Sequence, residues 1–460
     1  MSPQRHAPAP VRRGDHVTLA IEALADGPDA LARIDGYVVL VPGVLPGERV
    51  RAEITSAARK FGRARVLQVD RRAAERTEPR CRHFLQCGGC HWQHADYASQ
   101  LRFKQQRVQK ELAFALGEQA PAVADCVPAP APYGQRHKVA LQLLPGERGP
   151  RMALHRLRDL SLVPLQECPA VAAPALQLAR AAIAVLGALR LPVFDAETGD
   201  GMLRSVLVRR AAATGQSHLV VVATDDLPEL LPHCAALQEA GATTISVNVN
   251  REPTGRLLGA RTTVLAGPPR IDERIGDTTY CIAPDAFFQT SPAGAGELVR
   301  LVRDFLQPRA TDTVADLYCG GGLFALPLAQ RAATVVGVEE SPVALADAEA
   351  GVRRNRLHNV RLVRGAVEQV LERFGSGDLP RPDLAVLDPP RAGAAPAAVR
   401  RLSALGPRRI AHVACDPGAL GRDLRAFAEC GYRAERVVPV DMFPQTWHVE
   451  AVALLARAPA

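Results

Sequence analysis

From residue 284 on, the chain alternates short, continuously apolar runs with longer amphipathic stretches. The runs DTVADLY, ATVVGVE, VRLVRG, DLAVLD, RIAHVA, AERVVPVD and HVEAVALLA predict seven strands. Unbroken hydrophobicity, rather than alternation, marks strands covered on both faces. The intervening helical stretches predict six crossovers, and so a mostly parallel, doubly wound α/β sheet over 284–460. Residues 13–70 follow a shorter rhythm: HVTLAIEAL, ALARIDGYVVLVPG and ERVRAEITSAARKFGRARVLQV. Asp26-Gly27, Asp35-Gly36, Pro42-Gly43 and Pro46-Gly47 break these runs, which predicts a small OB-like β-barrel. Between the two, residues 71–283 form a mixed α+β region. Its segment 71–90 is irregular and cysteine-bearing. Tyr97, Leu101, Val108, Leu112 and Leu116 stand at near-helical spacing, which predicts a helix over 93–116 that can pack on the carboxyl-terminal domain. A Pro/Ala linker covers 120–134, and an Ala/Leu helix lies near 172–190.

Composition narrows the class. The 460 residues are 47% hydrophobic and 23% charged, ordinary for a globular chain of several domains. No uninterrupted apolar run of about 18 residues appears, so no membrane span is expected. The opening MSPQRHAPAPVRRGD is basic and proline-rich without an apolar centre. It predicts a loose tail over 1–12 rather than a secretory signal, and a cytoplasmic protein. The net charge of +8 points to a polyanionic partner, and Lys60, Phe61, Arg63 and Arg65 interleave an aromatic with cations as nucleic-acid contacts do. Ten cysteines kept reduced in a cytosol suggest metal binding where they cluster.

Candidate chemistry sits at strand ends. In VADLYCGGGLFALPLA a strand runs into a turn of Gly320, Gly321 and Gly322 and then a helix. Such a turn allows close backbone approach to a ligand. Glu339 closes the next strand 23 residues beyond Asp316, placed to accept hydrogen bonds from ribose hydroxyls. The pattern is not Gly-x-Gly-x-x-Gly, which favours S-adenosylmethionine over NAD. LDPPRAG presents Asp388 at a further strand end, with Arg391 where amino-group methyltransferases carry a stacking aromatic. In HVACDPGALGRDL, Cys415 follows a strand and precedes a helix whose N-terminus would lower the thiol pKa. A thiolate there suits a poor nucleophile such as pyrimidine C5. Addition at C6 makes an enolate whose C5 can take a methyl group. A base must then remove the C5 proton, and Glu450 in WHVEAVALL is placed for it.

In order and spacing, FFQTSP, DLYCGGGLFALPLA, GVE, LDPPRAG, HVACDPGALGRDL and HVEAVALL resemble the RNA uracil-C5 methyltransferase family. The resemblance extends over almost the whole chain and is greatest to bacterial enzymes acting on 23S ribosomal RNA. Residues 13–48 resemble that family's TRAM domain, an RNA-binding barrel. By position, the resemblance makes Cys415 the nucleophile and Glu450 the proton acceptor. Gln289, Tyr318, Gly320, Glu339 and Asp388 become cofactor contacts, Asp388 also facing the target base. Leu323 departs from the family's frequent asparagine, and Ala366 from its usual Asp or Asn.

Cys81, Cys87 and Cys90 in CRHFLQCGGC, with Cys168 in LQECPAV, read as a four-thiolate site whose spacing fits zinc and iron–sulfur alike. The resemblance implies a [4Fe–4S] cluster, and then His83, His91 and His94 are bystanders or RNA contacts. The expectation is a monomeric, S-adenosylmethionine-dependent enzyme forming 5-methyluridine in free or partly assembled 23S rRNA. The alternatives are the same chemistry on the tRNA T-loop, or a non-catalytic iron–sulfur RNA-binding ribosome assembly factor. Intact Cys415, Glu450, Asp388 and Gln289 speak against the last.

Overall fold

The computed structural model describes residues 9–159, 161–252 and 256–457; most of the expected amino-terminal tail lies outside them. The chain divides into two units. One takes residues through Phe103 together with Leu154–Val163 and Pro444–Trp447. The other takes Lys104–Ala153, Pro164–Phe443 and the residues from His448 on. Most of the central region, from Lys104 on, groups with the carboxyl-terminal sheet in the second unit.

In the first unit, six strands make one curled sheet in the order His16–Ala20, Arg49–Ala57, Phe61–Arg71, Tyr37–Val41, Ala30–Ile34, Ala23–Leu24. Inward Leu19, Ala32, Val39, Val50, Ala52 and Ile54 fill it, and Val11 joins them. The barrel thus begins inside the stretch expected to be tail, because an apolar side chain there plugs the core. Just beyond the barrel, Glu48 is fully buried and ion-paired with Arg76. Burial opposes its charge, but Arg76 and the Leu45 and Ala73 N–H groups hold its pKa below the usual range.

The long helix spans Tyr97–Leu116, not 93–116, because the Asp96 carboxylate accepts from Ser99 N–H at 2.8 Å and caps it there. Val108 and Leu112 pack into the core beneath the carboxyl-terminal sheet.

The second unit is built on two sheets. In the first, Leu203–Arg210 lies between Ser217–Ala223 and Lys138–Leu144, antiparallel to both, with helix Ala173–Ala188 packed on it. A hairpin, Ile271–Ile275 with Thr278–Ile282, and an irregular segment over 283–290 lead to helix Pro292–Leu306. The second sheet runs Val360–Arg364, Thr334–Glu339, Thr313–Leu317, Leu384–Leu387, Arg409–Ala414, Glu450–Arg457, Tyr432–Val440. Five neighbouring strands are parallel, and the strand Glu450–Arg457 lies antiparallel to both its neighbours. The last connection is thus a reversal and not a sixth crossover. That reversal places the first residue of the strand, Glu450, at the edge where the parallel strands end.

Candidate functional site

The strand Thr313–Leu317 ends in a turn built from backbone. Tyr318 adopts a left-handed φ of 63°, a conformation that non-glycine residues hold only where surroundings impose it. Here Cys319 N–H donates to Val338 O at 2.9 Å, and Gly320 N–H to the Glu339 carboxylate at 3.0 Å. Ser341 N–H donates to the other oxygen of Glu339 at 2.8 Å. Glu339 therefore braces the turn as well as edging the cleft. At Gly320, with φ of 53°, a Cβ would meet no protein atom within 4 Å, so the glycine leaves room on the ligand side. Cys319 is buried and packs against the Gly337 backbone; burial, then Asp316 and Glu339, hold its thiol far above the ordinary pKa.

This turn borders a cleft of about 870 Å³. Gln289, Tyr318, Gly320, Glu339, Asp388, Cys415 and Glu450 all line it. The structure thus brings together every expected cofactor and catalytic residue outside the cysteine set. The sequence did not single out Phe287, Phe443 and His448 on the same wall. Phe287 is 70% exposed, and an aromatic left in water at a cleft mouth is a ready stacking platform. Its position in FFQTSP was the only available signal.

Three titratable groups share the cleft. Burial lifts the Asp388 carboxyl to about 7, with His412 opposing. Burial, and next Asp388, lift Glu450 to about 8. The Cys415 thiol is pushed up to about 11 by burial, then by Glu450 and Asp388, with Arg391 opposing. The expected lowering by the helix N-terminus is corrected here. Asp416 caps helix Pro417–Glu429, accepting from Ala419 N–H at 2.9 Å. Its carboxylate thus occupies the end that would have favoured a thiolate. Near pH 7 much of the Glu450 population is protonated, which removes one of the charges opposing a thiolate.

Two buried polar contacts hold the cleft walls. His412 Nε2 lies 2.9 Å from Asp423, whose carboxylate also accepts from Ala394 N–H at 2.8 Å. The loop leaving Asp388 is thereby tied to the strand leading to Cys415. Lys104, fully buried, pairs with Asp441 and donates to Phe443 O at 3.0 Å. Leu323 packs into the apolar core, its carbonyl accepting from Tyr280 O–H at 3.0 Å. Ala366 precedes helix Val367–Gly375 without a side-chain cap.

Cys81, Cys87 and Cys90 belong to the first unit and Cys168 to the second. Cys90 is buried and the other three partly so. Among the described residues, no group of three His, Cys, Asp or Glu side chains is arranged to hold a metal ion. No helix among them is long and apolar enough to cross a membrane.

Residues 269–458 match the tRNA (uracil-5-)-methyltransferase family, and residues 10–67 match the TRAM domain. An uncharacterized RNA methyltransferase of Halalkalibacterium halodurans is 34% identical over 97% of this chain and 98% of its own length. One from Gloeobacter violaceus is 35% identical over 98% of each. Among solved structures, the tRNA (uracil-54, C5)-methyltransferase of Pyrococcus abyssi, in complex with S-adenosyl-L-homocysteine, is 27% identical. It superposes with a TM-score of 0.76 over 95% of this chain and 99% of that one.

Proposed function

Given that the chain belongs to the RNA uracil-5-methyltransferase family, we propose that it methylates C5 of a uridine in 23S ribosomal RNA through a covalent adduct on Cys415. The observation that carries this reading is the convergence of Cys415, Glu450, Asp388 and the glycine turn on one cleft. The cleft fits S-adenosylmethionine: an open glycine turn, an acid beside it, and apolar walls. Gln289, Tyr318, Gly320, Glu339 and Asp388 would hold that molecule, which supplies an electrophilic methyl group. Cys415, as thiolate, adds to uracil C6 and raises electron density at C5. Once C5 carries the methyl group, Glu450 as carboxylate takes the C5 proton, and the Cys415–C6 bond breaks by elimination.

The RNA-binding barrel and the cysteine-bearing segment favour ribosomal RNA. A second reading, a uridine in tRNA, has its support in the substrate of the Pyrococcus abyssi enzyme. Mapping 5-methyluridine in total RNA decides between them. A strain lacking the protein should lose one or more 23S sites, restored by the wild type and not by Cys415→Ala. Loss confined to tRNA selects the second reading, and no loss in either overturns both.

We further propose that Cys81, Cys87, Cys90 and Cys168 hold a [4Fe–4S] cluster as a structural clip. An all-thiol donor set supports it. Donor chemistry fits, while the described side chains do not form a finished site, so no catalytic step is assigned to the cluster. Anaerobically purified protein should carry about four irons and four labile sulfides per chain. Stoichiometric zinc without labile sulfide would overturn the assignment.

A further inference from the structure

Between the hairpin ending at Ile282 and the helix beginning at Pro292, the backbone forms neither helix nor strand. Buried peptide groups there must find other partners. They find them in side chains of the first seven-stranded sheet and of helix Pro342–Arg354, and in the backbone of His137. His218 Nε2 lies 2.7 Å from Ile282 O, and the Asp347 carboxylate accepts from Ala283 N–H at 2.8 Å. Arg209, on the strand Leu203–Arg210, donates from Nη2 to Ala286 O at 3.0 Å and from Nη1 to Phe288 O at 3.1 Å. His137 N–H donates to Thr290 O at 2.9 Å.

Arg209 is the unusual member of this set. The residue is 3% exposed, and its guanidinium spends two donors on neutral carbonyls. Burial drives its pKa down to about 10, with Asp347 and Glu273 opposing. A buried cation is costly, and an apolar side chain would fill the space at lower cost. What arginine supplies is a planar fork whose two arms reach two carbonyls at once. Carbonyls two residues apart on an extended segment point the same way, while successive side chains alternate. Holding Ala286 O and Phe288 O therefore fixes the rotation of the strap about its own axis. Burial alternates accordingly: Ala286 and Phe288 are buried, Phe287 is exposed and Gln289 partly so. Asp285, Ala286, Phe287, Phe288 and Gln289 all contribute to the cleft lining, and of these Phe287 is the exposed one.

We propose that Arg209 is a positioning residue for methyl transfer, clamping the 283–290 strap so that Phe287 and Gln289 are presented to the cleft. It touches neither substrate nor cofactor and acts through those two side chains. The proposal rests on the cleft being the methyl-transfer site.

A double-mutant cycle tests it on the full chain. Methyl incorporation is measured into total RNA from a strain lacking the protein, a substrate that does not presuppose which RNA is the target. Arg209→Met should lower kcat/KM at least 30-fold in the wild-type background. In a Phe287→Ala/Gln289→Ala background the same change should cost less than threefold, because the side chains it positions are gone. Equal losses in both backgrounds would mean general destabilisation and overturn the proposal, as would no loss in either. Should Arg209→Met not fold, Arg209→Lys, which keeps the charge but loses the fork, enters the same cycle under the same criterion. Hydrogen exchange gives a readout independent of activity. Amides of residues 283–290 should exchange at least tenfold faster in the variant, while those of Thr313–Leu317 stay unchanged; unchanged exchange in the strap would overturn the clamp. A wild-type protein that methylates no RNA would sink the functional reading and leave the exchange result to judge the clamp.

Discussion

Glu450 and Cys415 meet because their strands run in opposite directions. Ala414 pairs with Ala451 across the sheet, so the residue just after one strand neighbours the residue that opens the other. A parallel final strand would have put Glu450 at the far edge. The reversal thus brings a carboxyl group to the thiol, where its charge adds to the cost burial sets on ionising Cys415.

Cys415→Ala should abolish methyl transfer while leaving RNA affinity within about threefold, because phosphate contacts dominate binding. Filter binding at fixed salt beside a methyl-incorporation assay makes the comparison. Parallel loss of both would mark the thiol as a packing residue.

Activity should climb with pH. The thiol near 11 and Glu450 near 8 must both lose protons in the assigned roles. Single-turnover rates should therefore rise between pH 6 and 9. A flat profile with chemistry shown to be rate-limiting would contradict those roles.

Much of this site was legible in the sequence. Continuous apolar runs marked all seven strands of the catalytic sheet, and the glycine turn, Asp388 and Cys415 announced themselves by standing where such runs stop. Strand direction was not legible, since hydrophobic periodicity is the same read either way; the last strand was accordingly taken for a crossover product. Nor was the thiol's raised pKa, because Glu450 and Asp388 oppose it across the fold and Asp416 occupies the helix end. Arg209 and Lys104 escaped notice for the same reason. Each looks like an ordinary surface cation in the sequence, and its partners lie 77 to 79 or 337 to 339 positions away.

Glu450→Gln should do two separable things. With no carboxylate to take the C5 proton, a covalent protein–RNA adduct should accumulate and survive denaturing electrophoresis. The variant should also be more stable than wild type at high pH. Glu450 has a folded pKa of about 8, above the carboxylate's ordinary value. Its contribution is complete below that ordinary value and is lost as pH rises through about 8. The gain from removing the charge should therefore grow between pH 5 and 8, to about 4 kcal/mol at most, read from denaturant midpoints. An unchanged difference across that range would mean Glu450 is not held in a charge-opposing site.

Lys104 and Asp441 are both fully buried, so breaking the pair strands a charge. Lys104→Met should cost about 3 kcal/mol, and Lys104→Met/Asp441→Leu should recover part of it. A double variant no better than the single would locate the cost in the lost bond to Phe443 O instead.

On the barrel, the Arg63 guanidinium sits over the Phe61 ring at 5.6 Å, and that ring is 39% exposed. Aromatic stacking on an unpaired base and phosphate contact by a cation should separate experimentally. Phe61→Ala removes a stacking face worth about 1–3 kcal/mol per base, so RNA affinity should fall about 5- to 150-fold with the salt dependence preserved. Lys60→Ala removes a phosphate contact. It should weaken binding modestly and reduce the slope of log affinity against log salt by about one. Neither change touches the cleft, so KM should rise while kcat holds within twofold. If Phe61→Ala altered kcat and left KM alone, the barrel would be serving something other than RNA capture.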